Sequence, residues 1–480
     1  MDSILTLYVL RKLAALGAAI TLMALALDPV FQQVTDFPNR WILQGNSSIP
    51  KVINYNPQVY TQLTGGKKTI PVNAEIVVAA TPFFYGNGTQ SVPFGSGIRA
   101  EVPLSCPTGN CTWLPYQTLG FCSACIDVSE TLNFACLTTR IDWTNNLTGP
   151  GTESTYPNGT VCGYFLNATS TAPVLMSGYI VATNGSLGET LLMRAFPLIA
   201  YPRRTPFWGD GSINFKNVRH RMADVIVVSA MNGSASVYRN ETPVAHECMV
   251  AMCVKTIVSS FYQAKYEEMV VDVFLNTTAE SYPWRSTKTG NTTNIQFVEN
   301  IAITPPVVGR DNVAYGLDND TAMSTLTVFD EIFPSFLTVE PPSDEPFLRF
   351  KTRQKGEPSI RTVEFLPWVA PNNITQHFER MAIAMTNSMR SSSSSIGHIG
   401  MAFGQESLVD VHWAWLGLPF GLLALSGVFL VTTMIKTSTE LGEVGIWKSS
   451  ATANLLYETD EAGRPVTSFI TSSASSSKGF

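Results

Sequence analysis

Residues 413–435 read WAWLGLPFGLLALSGVFLVTTMI, 23 positions without a charge. A helix of roughly 20 apolar residues crosses a hydrocarbon layer ~30 Å thick, and soluble helices seldom run so long without a charged face. This run constrains the chain more than any other feature. Trp413 and Trp415 stand at one end, where amphipathic rings favour the headgroup level, and Lys436 closes the other. Pro419 is tolerated in a spanning helix. A transmembrane helix is expected at 413–435.

The N-terminal run 13–27, LAALGAAITLMALAL, is shorter. As a helix it covers only about 22 Å. Three readings fit it: a signal-anchor helix with Arg11 and Lys12 snorkelling, a cleaved signal peptide with Ala24-Leu25-Ala26 as its processing site, or the last part of a longer membrane region. All three put the chain after Asp28 on the non-cytosolic side, because Arg11 and Lys12 precede the apolar run. The expected organisation is a cytosolic segment or n-region at 1–12, a transmembrane or signal-anchor helix at 13–27, an extracellular or lumenal region at 29–411, the helix at 413–435 and a disordered cytosolic tail at 436–480.

Two independent features agree with that compartment. Asn-X-Ser/Thr triplets occur at Asn46, Asn87, Asn110, Asn146, Asn158, Asn167, Asn184, Asn232, Asn240, Asn276, Asn291, Asn319 and Asn373. Chance gives about 5 in a chain of this composition, so glycosylation is expected at these sites. All eight cysteines, Cys106, Cys111, Cys122, Cys125, Cys136, Cys162, Cys248 and Cys253, also lie between the apolar runs. An even count in an oxidising lumen implies disulfides, with the pairing open. Cys248 and Cys253 lie too far apart in a strand, and point apart in a helix, so they pair with each other only if the segment turns. Cys106, Cys111, Cys122 and Cys125 also have the spacing of a zinc site, but structural disulfides are the favoured reading.

CPTGNCTWLPYQTLGFCSACIDVSETL (106–132) resembles a family of fungal integral membrane proteins carrying a domain of unknown function. LALDPVFQQV (25–34), HECMVAMCVKTI (246–257), WAWLGLPF (413–420) and IWKSS (446–450) are similar to further parts of it. The resemblance runs from about Ala14 to Ser450. It implies further membrane spans upstream in other members, and no catalytic residue.

Between the runs, AEIVVAA (74–80), PVLMSGYIVAT (173–183), ADVIVVSAM (223–231) and YEEMVVDVFL (266–275) read as strands separated by Gly, Pro and Asn turns. The expected fold is a mainly β, sandwich-like, disulfide-stabilised ectodomain with some helix, flanked by two transmembrane helices. A boundary is expected near 340–346 (EPPSDEP lies there), and a Ser-rich connector towards the membrane at 391–397. Residues 374–390 place Ile374, Phe378, Met381, Met385 and Met389 on one helical face, read as a helix packed on the β core rather than a partner-docking helix.

Catalytic chemistry does not emerge. Charged residues are 14% of the chain, against ~25% in a typical soluble domain, and the net charge of -6 excludes a nucleic-acid footprint. His246-Glu247 lacks the second histidine of a zincin, no GxSxG elbow occurs, and Gly65–Thr69 lacks P-loop spacing. Asp318-Asn319-Asp320 reads as a surface turn rather than a calcium loop. Glu267, Glu268 and Asp272 are candidate glycosidase carboxylates in an alternating run, where exposure is the expected outcome. No catalytic, cofactor or metal site is expected. The reading is a non-enzymatic surface or secretory-pathway glycoprotein that binds cell-wall glycan or a protein. The alternatives are an extracellular glycan-active enzyme and a transporter or channel subunit, the last disfavoured because 413–435 holds no ionisable group.

Overall fold

The computed structural model describes residues 2–57, 62–64, 67–94, 97–144, 156–171, 173–182, 187–199, 212–277, 284–289, 292–297, 299–306, 313–341, 345–350, 360–361 and 365–439. Two compact units emerge, one of residues 1–40 with 405–480 and one of residues 41–404. The principal helices are α1 (Asp2–Ala24), α2 (Ala74–Tyr85), α3 (Asn319–Leu326), α4 (Ile374–Arg390) and α5 (Gly417–Thr439). The principal strands are β1 (Asn39–Lys51), β2 (Asn110–Asp127), β3 (Leu132–Arg140), β4 (Asn158–Leu166), β5 (Val174–Val181), β6 (Leu187–Ile199), β7 (Arg221–Ser229), β8 (Val244–Tyr262), β9 (Lys265–Leu275), β10 (Ser335–Val339), β11 (Phe347–Phe350), β12 (Ile360–Arg361) and β13 (Ile396–Ser407).

In the first unit, Trp413–Ile435 is the one helical run among the described residues long and apolar enough to cross a membrane. The N-terminal run does not form one helix over 13–27. Helix α1 stops at Ala24, residues 25 and 26 turn, and a short helix Leu27–Gln32 follows. Pro29 accounts for the restart, since it is accommodated in a first helical turn but not in a helix interior. A Cβ added at Gly17 of α1 would come 3.3 Å from the Phe429 ring of α5, so the glycine lets the two helices pack closely.

The second unit is mainly β, as composition and pattern suggest; thirteen of its strands form one branched sheet, with smaller sheets of two and three strands besides. The order is β1-β13-β2-β8-β7-β6-β5-β4-β3, with β9 beside β8, β10 between β6 and β11, and β12 beside β11. Strand β7 is buried at every position. Its Val225 and Val227 join a core shared with α2 and α4, while Ile226 and Val228 face Leu132, Leu166 and Phe196. Both sheet faces are covered there, so residues 225–228 are a continuous apolar run. Each such side chain contributes about 1.5–3 kcal/mol.

Three sequence expectations change. Residues 74–80 are helical: Asn73 Oδ1 accepts from Ile76 N, and Ile76, Ala80, Phe83 and Phe84 form the buried face. The cap and the alanines decide a run that composition alone reads as a strand. Residues 340–346 join the paired strands β10 and β11 of one sheet. Ser391–Ser395 form a turn from α4 into β13, where Ser392 Oγ donates to Met389 O and Asn56 N donates to Ser394 Oγ. Helix α4 forms as expected, capped by Asn373, with Ile374, Phe378, Met381, Met385 and Met389 all buried in the core, which leaves no docking face along that stripe.

Candidate functional site

The most chemically loaded surface feature lies where β8 exchanges one edge partner for another. Residues 244–251 pair with β7, and residues 253–262 pair with β9. Lys255 stands just past this exchange, and Glu268 lies opposite Ser259 on β9. Helix α4 crosses β2 close to its backbone: a Cβ at Gly120 would sit 2.7 Å from Thr386 Cγ2, and Phe121 N donates to Thr386 Oγ1 at 2.9 Å. Together with residues 98–102 these elements bound a cleft of about 270 Å³. Its polar lining is Arg99, Glu101, Lys255, Tyr266, Glu268, Thr386 and Asn387; Ile98, Val102, Ile257, Val270 and Ile383 supply the apolar wall.

Arg390 organises the polar side. Its Nη1 donates to both Glu268 oxygens, at 3.0 and 2.7 Å, and to Asn387 Oδ1 at 3.2 Å. Nη2 donates to Tyr116 OH at 2.6 Å and Nε to Pro50 O at 3.1 Å. Tyr266 OH donates to Glu268, and Asn387 Nδ2 donates to Glu101 Oε2 at 2.8 Å. Burial alone would lower the guanidinium; Glu268, Tyr116 and Tyr266 more than offset this and hold it above its ordinary value. Burial, then Glu268, pushes the Tyr266 phenol up.

Lys255 is only 6% exposed. Its Nζ donates to Thr386 Oγ1 at 3.4 Å, a long contact to a hydroxyl that itself donates to Ala382 O at 2.7 Å. Burial lowers the amine to about 8; Glu268 and Glu379 oppose the fall and Arg390 assists it.

A second ionic cluster is sealed inside the sheet. Arg221 Nη1 donates to Asp224 Oδ2 at 2.8 Å, with neither side chain exposed. Glu247 accepts from Ser212 Oγ, Ile213 N, and Asn214 N and Nδ2. Burial pushes Asp224 up to about 8, with Arg221 opposing and Glu247 adding to the rise. Four donors satisfy Glu247 as a carboxylate, so one positive and one negative charge balance when Asp224 holds its proton. This cluster ties β7, β8 and residues 212–214 together and faces no cleft.

The cysteines form four disulfides: Cys106–Cys111, Cys122–Cys253, Cys125–Cys248 and Cys136–Cys162. Cys248 and Cys253 each reach β2 because β8 does not turn between them. All eight thiols are consumed, which removes the zinc alternative. Asp318 Oδ1 accepts from Thr321 N and caps α3, so 318–320 starts a helix rather than forming a plain turn. The three candidate carboxylates are exposed, as expected; Glu267 pairs with Lys265, and Glu268 stands at the cleft, held by Arg390. His377 packs on Phe83 and Trp368 in the core.

Among the sequon asparagines, Asn46, Asn87, Asn158, Asn167, Asn232, Asn240 and Asn373 are exposed. Asn110, Asn276 and Asn319 are half-buried, and Asn146, Asn184 and Asn291 lie outside the described residues. Asn373 caps α4 through Oδ1, so the cap does not use Nδ2, the atom to which a glycan at this sequon would attach.

Lys255, Arg390, Tyr116, Tyr266, Thr386, Asn387 and Glu101 are not legible as a set in the sequence. The one local signal is a lysine inside the otherwise apolar run CMVAMCVKTIV, a cation that a buried strand tolerates only with a purpose-built surrounding. No family model, curated protein or solved structure matches the chain.

Proposed function

We propose that the chain is an integral membrane glycoprotein of the plasma membrane or secretory pathway. Its β unit lies outside the cytosol and binds cell-wall glycan or a protein without enzymatic turnover. The observation that carries the membrane assignment is the uncovered apolar surface of 413–435: Phe420, Leu423, Val428, Leu430, Val431, Met434 and Ile435 are all more than half exposed. Water does not tolerate so large a contiguous apolar patch, whereas lipid does. Packing of Gly17 against Phe429 supports reading α1 as a second span beside the first. Four disulfides and no free cysteine support an oxidising compartment for residues 41–404. Membership of the fungal family belongs to the same proposal: the two cysteine blocks that carry the resemblance supply adjacent strands, β2 and β8, and six of the bonded cysteines.

The cleft beside Lys255 is the proposed ligand site, since it combines depth with converging charged and polar groups. Endoglycosidase treatment of membrane-extracted protein is expected to lower its apparent mass sharply; an unchanged band refutes the topology. Glycan and protein arrays probed with the full chain in nanodiscs are expected to give a reproducible ligand, lost in Asn387→Leu. Capture that survives this substitution moves the site elsewhere. A second reading, a glycan-active enzyme, draws on one fact: Glu101 and Glu268 line the same cleft. It requires release of reducing ends from a polysaccharide that disappears in both Glu101→Gln and Glu268→Gln.

A further inference from the structure

We propose that the Lys255 cleft takes a small aliphatic aldehyde, with the lysine amine adding to its carbonyl carbon to form an imine. The inference rests on the reading of this cleft as the ligand site and names the ligand's reactive group. Three observations carry it. The amine ends on the wall of an open cleft while the residue is 6% exposed, so its approach is through that cleft. Its hydrogen bond to Thr386 Oγ1 is long, at 3.4 Å, and an ammonium has three donors, so the buried nitrogen has donor capacity to spare. Part of the lining is aliphatic, formed by Ile98, Val102, Val270 and Ile383, which suits a short hydrocarbon chain.

Charge separates this ligand from an anionic one. Glu101 and Glu268 line the cleft, and Glu379 acts on Lys255 from α4. Arg390 Nη1 donates to both Glu268 oxygens, whereas Glu101 accepts from the neutral amide of Asn387. Arg99 also lines the cleft, so once the amine is neutral the lining carries no excess of positive charge to hold a carboxylate or phosphate, and a neutral carbonyl needs none. Burial supplies the reactivity: the groups facing Lys255 leave it near 8 rather than 10.5, which raises the neutral-amine share at pH 7 by about two orders of magnitude.

The step balances without an oxidant or reductant. The nitrogen lone pair forms the C–N bond, the carbonyl oxygen leaves as water with the two amine hydrogens, and an imine remains.

Reductive trapping tests this on the full chain in nanodiscs. Butanal and cyanoborohydride are added at pH 7, and butylated lysines are mapped and timed by mass spectrometry. Lys255 is expected to label at least tenfold faster than exposed Lys265, and Ile383→Trp, which fills the apolar wall, is expected to remove the advantage while circular dichroism stays unchanged. Labelling of Lys255 no faster than Lys265 overturns the proposal. Array capture without fast labelling leaves the ligand-site reading standing and removes only the aldehyde; fast labelling without array capture does the reverse.

Discussion

Two disulfides join the same pair of strands, and their removal is expected to cost more together than the two losses summed. Cys125–Cys248 and Cys122–Cys253 both tie β2 to β8, with sequence separations of 123 and 131. When either is replaced by an alanine pair, the other still closes the long loop. The ring that opens contains only residues 122–125 and 248–253, and a ring of about ten residues is worth about 2.7 kcal/mol of chain entropy. When both are gone, a loop of more than 120 residues opens as well, adding about 5 kcal/mol. The double loss should therefore cost about 7–8 kcal/mol, roughly 2 kcal/mol beyond the sum of the single losses. Cavity terms from the buried sulfurs recur in single and double variants and largely cancel in the cycle. Urea unfolding of the four proteins, followed by the buried Trp113, Trp143 and Trp368, gives the coupling; sucrose keeps the weakest variant folded. Additivity within about 0.5 kcal/mol would refute the reasoning and show that the bonds act through local native contacts instead.

Other expectations are shorter to state. Arg390→Leu leaves Tyr116 and Pro50 O without their buried donor and Glu268 without its partner, and should cost about 1–3 kcal/mol in the same urea assay. Met385→Ala, at a fully buried position under α4, should cost about 2–5 kcal/mol. Asp224 binds its proton more tightly folded than unfolded, so its contribution to stability is present below about pH 4 and lost as pH rises through about 8; Asp224→Asn should flatten that fall, and an unchanged profile would count against it. Asn373→Asp keeps the α4 cap and removes the sequon, whereas Asn373→Gln removes both; the first should leave stability within a few tenths of a kcal/mol and the second cost about 1 kcal/mol, read by thermal melts of deglycosylated protein.

What the sequence reveals about this fold follows the range of the interactions involved. Helix α4 is legible because Ile374, Phe378, Met381, Met385 and Met389 repeat at helical spacing and Asn373 caps them. Strands at 174–181, 221–229 and 265–275 are legible from β-branched runs. Residues 74–80 mislead because Ile76 and the two valines suit a strand equally well, and one side-chain cap tips the balance. Sheet count is a matter of which distant strands share an edge, and no local pattern encodes that β10 inserts beside β6. The cleft is hidden for the same reason: Glu101, Lys255, Glu268 and Arg390 come from four separate segments, and Arg390 looks from sequence like an ordinary basic residue at a helix C-terminus.

The strand order also dictates a timetable. Synthesis delivers β1 more than 300 residues before its neighbour β13, and delivers Cys122 and Cys125 over 120 residues before the cysteines they finally bond. Throughout that interval the nearest thiol in sequence to either of Cys122 and Cys125 is the other, so the first bond within reach of these two is a wrong one. Long-range pairing of this kind folds slowly and exposes unpaired edges while it waits. In an oxidising compartment, the yield of correctly bonded protein is therefore expected to track the supply of disulfide isomerase more closely than the stability of the finished fold.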